Sequence, residues 1–337
     1  MRAWLLDDTN GPSSYRLGEV PTPEPGTGEA RVRVVTAGLN HLDIWVSLGL
    51  PKPRQFPHIA GADAAGVIDA IGSGVSGWSV GDEVIVDPSI SCGECDACRR
   101  GETVFCRSYG ILGEHLPGTL ADCVVVPVRN LRRKPSALSW ESAGCFGMAT
   151  GTAYRMLNKT RLRAGDVLLV VGVGGGVSSL GALIGKAMRA TVYVTSRSPA
   201  KLAWAAGHGW TGFDSAGEFS KQLKTAAGRG ADVVVDNVGA ATWQQSLRSL
   251  EAGGRLAICG GTAGGKVELS LPYLFFKQIE IVGSTMYTAA EFGRALHLVE
   301  TGGVPVPIDS VHSFEDLPTA LTRLESGDQI GKVVIRR

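Results

Sequence analysis

Between Asp166 and Met188 the chain reads DVLLVVGVGGGVSSLGALIGKAM, an apolar run, a glycine cluster and then a stretch with helical spacing. No other segment limits the fold as strongly. A strand that runs through a glycine turn into a helix is the opening of a βαβ unit. Gly172, Gly174, Gly175 and Gly176 let the backbone turn tightly and approach a phosphate, and the N–H groups of a helix N-terminus stabilise its charge. A dinucleotide pyrophosphate is therefore expected here, against the turn that ends at Val177. The spacing departs from G-x-G-x-x-G, because Val177 and Ser178 stand where a third glycine would fall. A glycine cluster alone also suits a plain strand-to-helix loop, so its meaning rests on the elements that come after it in the chain.

Those elements alternate. A strand is expected over Asp166 to Val173, a helix to about Met188, a strand over Thr191 to Ser196 and a helix from near Pro199. Further strands are expected over Asp232 to Val238, Arg255 to Gly260 and Ile279 to Gly283, with a helix over Ala241 to Leu250. That order predicts a doubly wound parallel sheet. Asn237, Gly260, Gly261 and Thr285 fall at or just after strand ends, where open α/β sheets bind ligands. The second strand ends in Ser196 followed by Arg197, where NAD binders carry Asp or Glu. Ser196, Arg197 and Lys201 can donate to a 2′-phosphate that a carboxylate would repel, so NADP(H) is the expected cofactor. Read without that context, Arg197 and Lys201 are solvated surface charges.

The first 145 residues or so have a different texture. Arg31 to Ala37, Ala65 to Ile71 and Asp82 to Asp87 are β-branched runs separated by Gly and Pro, which predicts a β-rich domain. Four of the seven cysteines, Cys92, Cys95, Cys98 and Cys106, lie within fifteen residues, separated by two, two and seven residues. Four thiolates in one loop are the number that a closed, structural zinc site needs, leaving no coordination position for substrate. An iron–sulfur cluster or a redox-active pair are the other uses of such a loop. Cys123, Cys145 and Cys259 are expected as buried small hydrophobes. The tail carries two amphipathic segments, Ala289 to Glu300 and Leu317 to Glu325, and a strand over Lys332 to Arg336, and is expected to return to the first domain.

At 337 residues the chain suits two domains. A formal net charge of +1, with no long run of either sign, gives no footprint for nucleic acid or an anionic membrane. No uncharged 18-residue apolar stretch occurs, and two aspartates interrupt the N-terminal apolar run. A soluble, cytoplasmic protein acting on a small molecule is the expectation.

The β-rich start, the four-cysteine lobe, the late glycine turn and the returning tail together resemble the medium-chain dehydrogenase/reductase superfamily, the zinc alcohol dehydrogenase and quinone reductase group. AGLNHLDIW at Ala37 to Trp45, AGADAAGVIDAIGSGV at Ala60 to Val75, GDEV at Gly81 to Val84 and GKVVI at Gly331 to Ile335 extend the match along nearly the whole chain. The resemblance implies an α/β protein with a GroES-like catalytic domain over 1–147 and 287–337, carrying a structural zinc lobe at about 92–106. It implies a Rossmann NADP(H)-binding domain over 148–286, a cofactor cleft between the two, and a homodimer or homotetramer paired through the cofactor-domain sheet.

The family's alcohol dehydrogenases hold a catalytic zinc on Cys, His and Cys. Those positions look like Asn40, Ala62 and Phe146 here. Without a Lewis acid a simple alcohol or ketone lacks the charge stabilisation that hydride transfer requires. The zinc-free quinone and enone reductases of the family act on acceptors that are already electrophilic, and this sequence resembles them more. The resemblance places Asn40 and Thr150 near nicotinamide and substrate, with Asn40 a donor to developing oxyanion charge; as isolated residues they suit a turn and a helix cap. Lys332 is expected to approach the cofactor from the tail. Two rivals stay open. One is an alcohol dehydrogenase with a displaced zinc on His41, Asp63 and Cys145; the other is an NADPH-binding sensor without turnover.

Overall fold

The computed structural model describes residues 1–337, which divide into two compact units. The first joins Met1–Gly151 to Tyr287–Arg337, and the second is Thr152–Met286.

The first unit is built on the long strand Glu29–Gly38, which pairs antiparallel with Ala64–Ile71, Cys123–Pro127 and Lys332–Arg336. Glu83–Val86, Leu131–Arg133 and Ile308–Ser313 complete a seven-stranded sheet. The tail strand thus returns to the first unit as expected, pairing Val334 with Gly38 and Ile335 with Ala37. Alternation along Glu29–Gly38 sends Ala30, Val32 and Val34 into a core shared with Ile68, Val84, Val126, Val333 and Ile335. Close approach fixes small residues: a Cβ at Gly66 would stand 2.1 Å from the Arg33 carbonyl oxygen across the ladder.

The second unit is a six-stranded parallel sheet. Its strands run in the order Thr211–Asp214, Thr191–Ser196, Val167–Val171, Ala231–Asp236, Leu250–Ile258 and Glu280–Gly283. This is the doubly wound order, reversing direction of build between Val167–Val171 and Ala231–Asp236. Every residue of Val167–Val171 is buried, as a central parallel strand covered on both faces must be. Thr211–Asp214 is a strand that the sequence does not predict, because TGFD is short and carries a glycine, but the edge of the sheet accepts it beside Thr191–Ser196. Leu250–Ile258 begins earlier than the Arg255 to Gly260 expected. It crosses Gly253 in the left-handed region, and its register against Ala231–Asp236 shifts there.

Candidate active site

In the second unit the Val167–Val171 strand passes through Gly172 and Gly174, with φ of 75° and 114°, into the Gly176–Ala187 helix. Glycine is required at Gly174, where a side chain would be strained and its Cβ would stand 2.3 Å from Lys201 Cδ. Beyond Gly175 there is open space at the helix N-cap, and the first helical turn carries no acidic residue. The N-terminus therefore presents an uncompensated positive dipole end, suited to an anion. Val177 lies in that turn, and Ser178 packs it down by donating to the Val171 carbonyl and the Asn237 amide oxygen, both at 3.2 Å.

The remaining residues expected around the cofactor lie at the same, C-terminal edge of the sheet. Ser196 ends its strand and accepts from Ser198 N–H at 3.1 Å. Arg197 follows it, and Lys201, one turn into the Pro199–Gly207 helix, lays its methylenes over Gly174. Asn237, Gly260 and Thr285 follow the ends of Ala231–Asp236, Leu250–Ile258 and Glu280–Gly283, with Gly261 next in line. Sequence reasoning missed Asp236. Its buried carboxylate accepts from Val238 N, Gly239 N, Thr242 Oγ1 and Ser246 Oγ, and so fixes the loop that presents Asn237. Its place at the end of an apolar strand was the available signal.

In the first unit the sulfur atoms of Cys92, Cys95, Cys98 and Cys106 all lie within 4.8 Å of one another. Cys92 is 3.8 Å from Cys98 and 3.5 Å from Cys106, close to the ~3.8 Å edge of a tetrahedron with Zn–S bonds of about 2.3 Å. Backbone N–H groups of Cys92, Cys95 and Ser108 point at sulfur, which favours thiolates. The donor set fits zinc.

The second feature of this unit is a buried charge cluster. Asp63, wholly inaccessible, receives Lys332 Nζ at 3.2 Å and Asn40 Nδ2 at 3.0 Å on Oδ2, and Met148 N–H at 2.6 Å on Oδ1. Lys332 spends its other protons on the Leu39 carbonyl, at 2.7 Å, and on Asn40 Oδ1. The second Asn40 amide hydrogen goes to the Gly38 carbonyl at 3.2 Å. In this arrangement Asn40 has no hydrogen left for a substrate oxyanion, and the ammonium of Lys332 is held by protein oxygens. Asn40 also begins the His41–Ser47 helix, its N–H held by Asp43 Oδ2 at 2.8 Å. Burial pushes the Asp43 carboxyl up to about 6 and the Cys145 thiol up to about 12.

The positions that resemble metal ligands are occupied by other work. Phe146 is fully buried and meets Phe292 edge-on at 5.1 Å, with Tyr287 5.4 Å beyond. Ala62 is buried, and Asn40 belongs to the charge cluster. His41, Asp63 and Cys145 do not bring ligand atoms together as the four cysteines do. Asp63 already accepts from three donors, and burial pushes the Cys145 thiol up to about 12. The displaced-zinc arrangement is therefore not formed. Thr150 sits in the first turns of the Gly147–Lys159 helix, so it is not a cap. Its hydroxyl is buried and finds no hydrogen-bond partner in the protein. It is one of several buried polar groups that the protein leaves unpaired, so it keeps its hydrogen-bonding capacity.

A discontinuous β-rich unit with a four-thiol lobe and a doubly wound unit with a glycine-rich strand-to-helix turn are the features of the class of two-domain dehydrogenases. Residues 26–136 match the family described as alcohol dehydrogenase GroES-like domain, and residues 176–301 that described as zinc-binding dehydrogenase. The acryloyl-coenzyme A reductase of Metallosphaera sedula is 32% identical over 323 residues, covering 95% of this chain and 96% of that protein. The crotonyl-CoA reductase of Streptomyces avermitilis is 30% identical over 373 residues, covering 97% and 82%. A crystal structure of an NAD-dependent alcohol dehydrogenase superposes with a TM-score of 0.96 at 38% identity, covering all of both chains. The chain belongs to the medium-chain dehydrogenase/reductase superfamily of zinc-type alcohol dehydrogenases, and it is an oxidoreductase.

Proposed function

We propose that this protein uses NADPH to reduce an activated double bond conjugated to a carbonyl, with an α,β-unsaturated acyl thioester or enone as acceptor and a quinone as the related alternative. One observation carries the reading. Of the three positions that resemble the family's catalytic-zinc ligands, Asn40 is engaged in a closed, mutually satisfied cluster with Asp63 and Lys332, and Ala62 and Phe146 are buried apolar side chains. A conjugated acceptor needs no Lewis acid of that strength, because the negative charge that develops at its α-carbon when the β-carbon takes hydride is delocalised onto the carbonyl oxygen. The acyl-CoA reductases among the relatives favour the thioester.

NADPH, when bound, supplies hydride from nicotinamide C4. The chain's own part is to bind, orient and stabilise. The glycine turn from Gly172 to Val177 takes the pyrophosphate, while Ser196, Arg197 and Lys201 take the 2′-phosphate. Asn237, Gly260, Gly261 and Thr285 line the cofactor at the strand ends. As the β-carbon gains its C–H bond, the π electrons move to the carbonyl oxygen as an enolate, and a proton at the α-carbon completes the reduction. The unpartnered Thr150 hydroxyl is the donor available to that oxygen. The four cysteines hold one structural zinc.

The test is zinc content of the purified protein together with NADPH and NADH oxidation by an unsaturated acyl thioester, an enone and a quinone. A single zinc per chain, with turnover that prefers NADPH, supports the reading. A second zinc per chain, with alcohol oxidation that chelation abolishes, overturns it. NADPH binding with no turnover on any acceptor would instead favour a sensor.

A further inference from the structure

Asp63 joins segments that are far apart in sequence. Its Oδ2 holds Asn40 at the end of the Glu29–Gly38 strand and Lys332 at the start of the Lys332–Arg336 strand. Its Oδ1 holds Met148 N–H in the first turn of the Gly147–Lys159 helix, two residues before Thr150. Thr119 Oγ1 anchors the Asp63 carbonyl at 2.9 Å. The approach to the helix is close enough to demand glycine next to the contact, since a Cβ at Gly147 would stand 2.5 Å from Asp63 Oδ1. The Lys332 and Asp63 side chains are only 4% and 0% exposed, so the pair cannot be a solvated surface bridge. A buried ion pair contributes little to stability as such, and its best-attested use is to fix one arrangement among several.

We propose that the Asp63–Lys332 pair is a positioning device: it sets the first turn of the Gly147–Lys159 helix, and with it the Thr150 hydroxyl, against the reacting carbonyl. Neither Asp63 nor Lys332 touches the substrate; both act through Met148 and Thr150. The role assigned to Thr150 rests on the function proposed above, whereas the tie between the pair and the helix turn does not.

Two variants separate positioning from folding. Lys332→Met combined with Asp63→Asn removes both charges of the pair together, and Gly147→Ala pushes Asp63 off Met148 while keeping the ion pair. Each is compared with the wild type, in zinc-loaded full-length protein, by kcat and KM on the best acceptor. Hydrogen exchange of the 147–151 segment is followed on the same samples. Both variants should lose at least about tenfold in kcat with KM for NADPH held within about threefold, since a misplaced group lowers the chemical step and not cofactor binding. Exchange over 147–151 should quicken about tenfold while Val167–Val171 stays protected. Folded variants that keep kcat within about twofold, or lose it only in proportion to unfolded protein, overturn the proposal. If the wild type reduces none of the acceptors, the functional reading fails by itself. Exchange then decides the positioning alone, and unchanged protection at 147–151 refutes it.

Discussion

Asp43 shows how a single side chain couples the site to pH. Its two oxygens accept from Asn40 N–H and Gly61 N–H, yet burial outweighs these bonds and lifts the carboxyl from 3.8 to about 6. A folded-state value above the unfolded one means that the native protein holds the proton more tightly. The contribution is therefore complete below the unfolded value and is lost as pH rises through about 6. Asp87, lifted to about 7 by burial, acts in the same sense over a wider window. Asp43→Asn should destabilise the protein by about 1–3 kcal/mol through one lost acceptor. Because the variant lacks the titration, the gap to wild type should narrow between about pH 4 and about pH 7 in urea unfolding. A gap that stays constant would show that Asp43 titrates alike in both states. Asp63, Asn40 and Lys332 illustrate what a sequence conceals at this scale. Lys332 finds its partners 269 and 292 residues away, so neither spacing nor local pattern could reveal that its ammonium is already taken.

At the scale of elements, legibility depends on how local the determinants are. The strand, glycine turn and helix from Val167 to Ala187 can be read because burial, φ requirements and helix dipole all act within one contiguous stretch. The Thr191–Ser196 strand and Leu317–Glu325 helix likewise fall where their patterns place them. The Thr211–Asp214 strand cannot be read, since only the neighbouring strand makes TGFD extend. The cysteine lobe lies between these cases: its spacing announces four converging thiols, and its geometry agrees. The lobe contains only a four-residue helix and a three-residue 3-10 turn, with Cys106 its one buried cysteine, so the metal would be its core. Cys106→Ser should therefore release zinc and open residues 92–108 to proteolysis. NADPH affinity should change by no more than about twofold, as independent sites do. Retained zinc with an intact lobe would count against a four-thiolate site.

For the whole molecule, the second unit leaves the strand Glu280–Gly283 at the edge of its sheet. On the preceding Leu271–Phe276 helix, Leu271, Phe275 and Phe276 are 64%, 58% and 79% exposed. An open edge with an apolar patch next to it suits pairing with a second copy, as the homodimer or homotetramer expected from the family requires. Phe275→Asp combined with Phe276→Asp should shift the sedimentation coefficient toward that of a single chain, and an unchanged species would place the contact elsewhere. The discontinuity of the first unit has a consequence for biosynthesis. Its central strand Glu29–Gly38 is made early, but the partner Lys332–Arg336 leaves the ribosome only after all of Thr152–Met286 has been made. The second unit can thus mature on the nascent chain while the first still waits for the strand Lys332–Arg336. Since that strand brings Lys332, the cation opposite Asp63 arrives only when it pairs, and a partial translation product would hold a folded second unit with Asp63 lacking its cation.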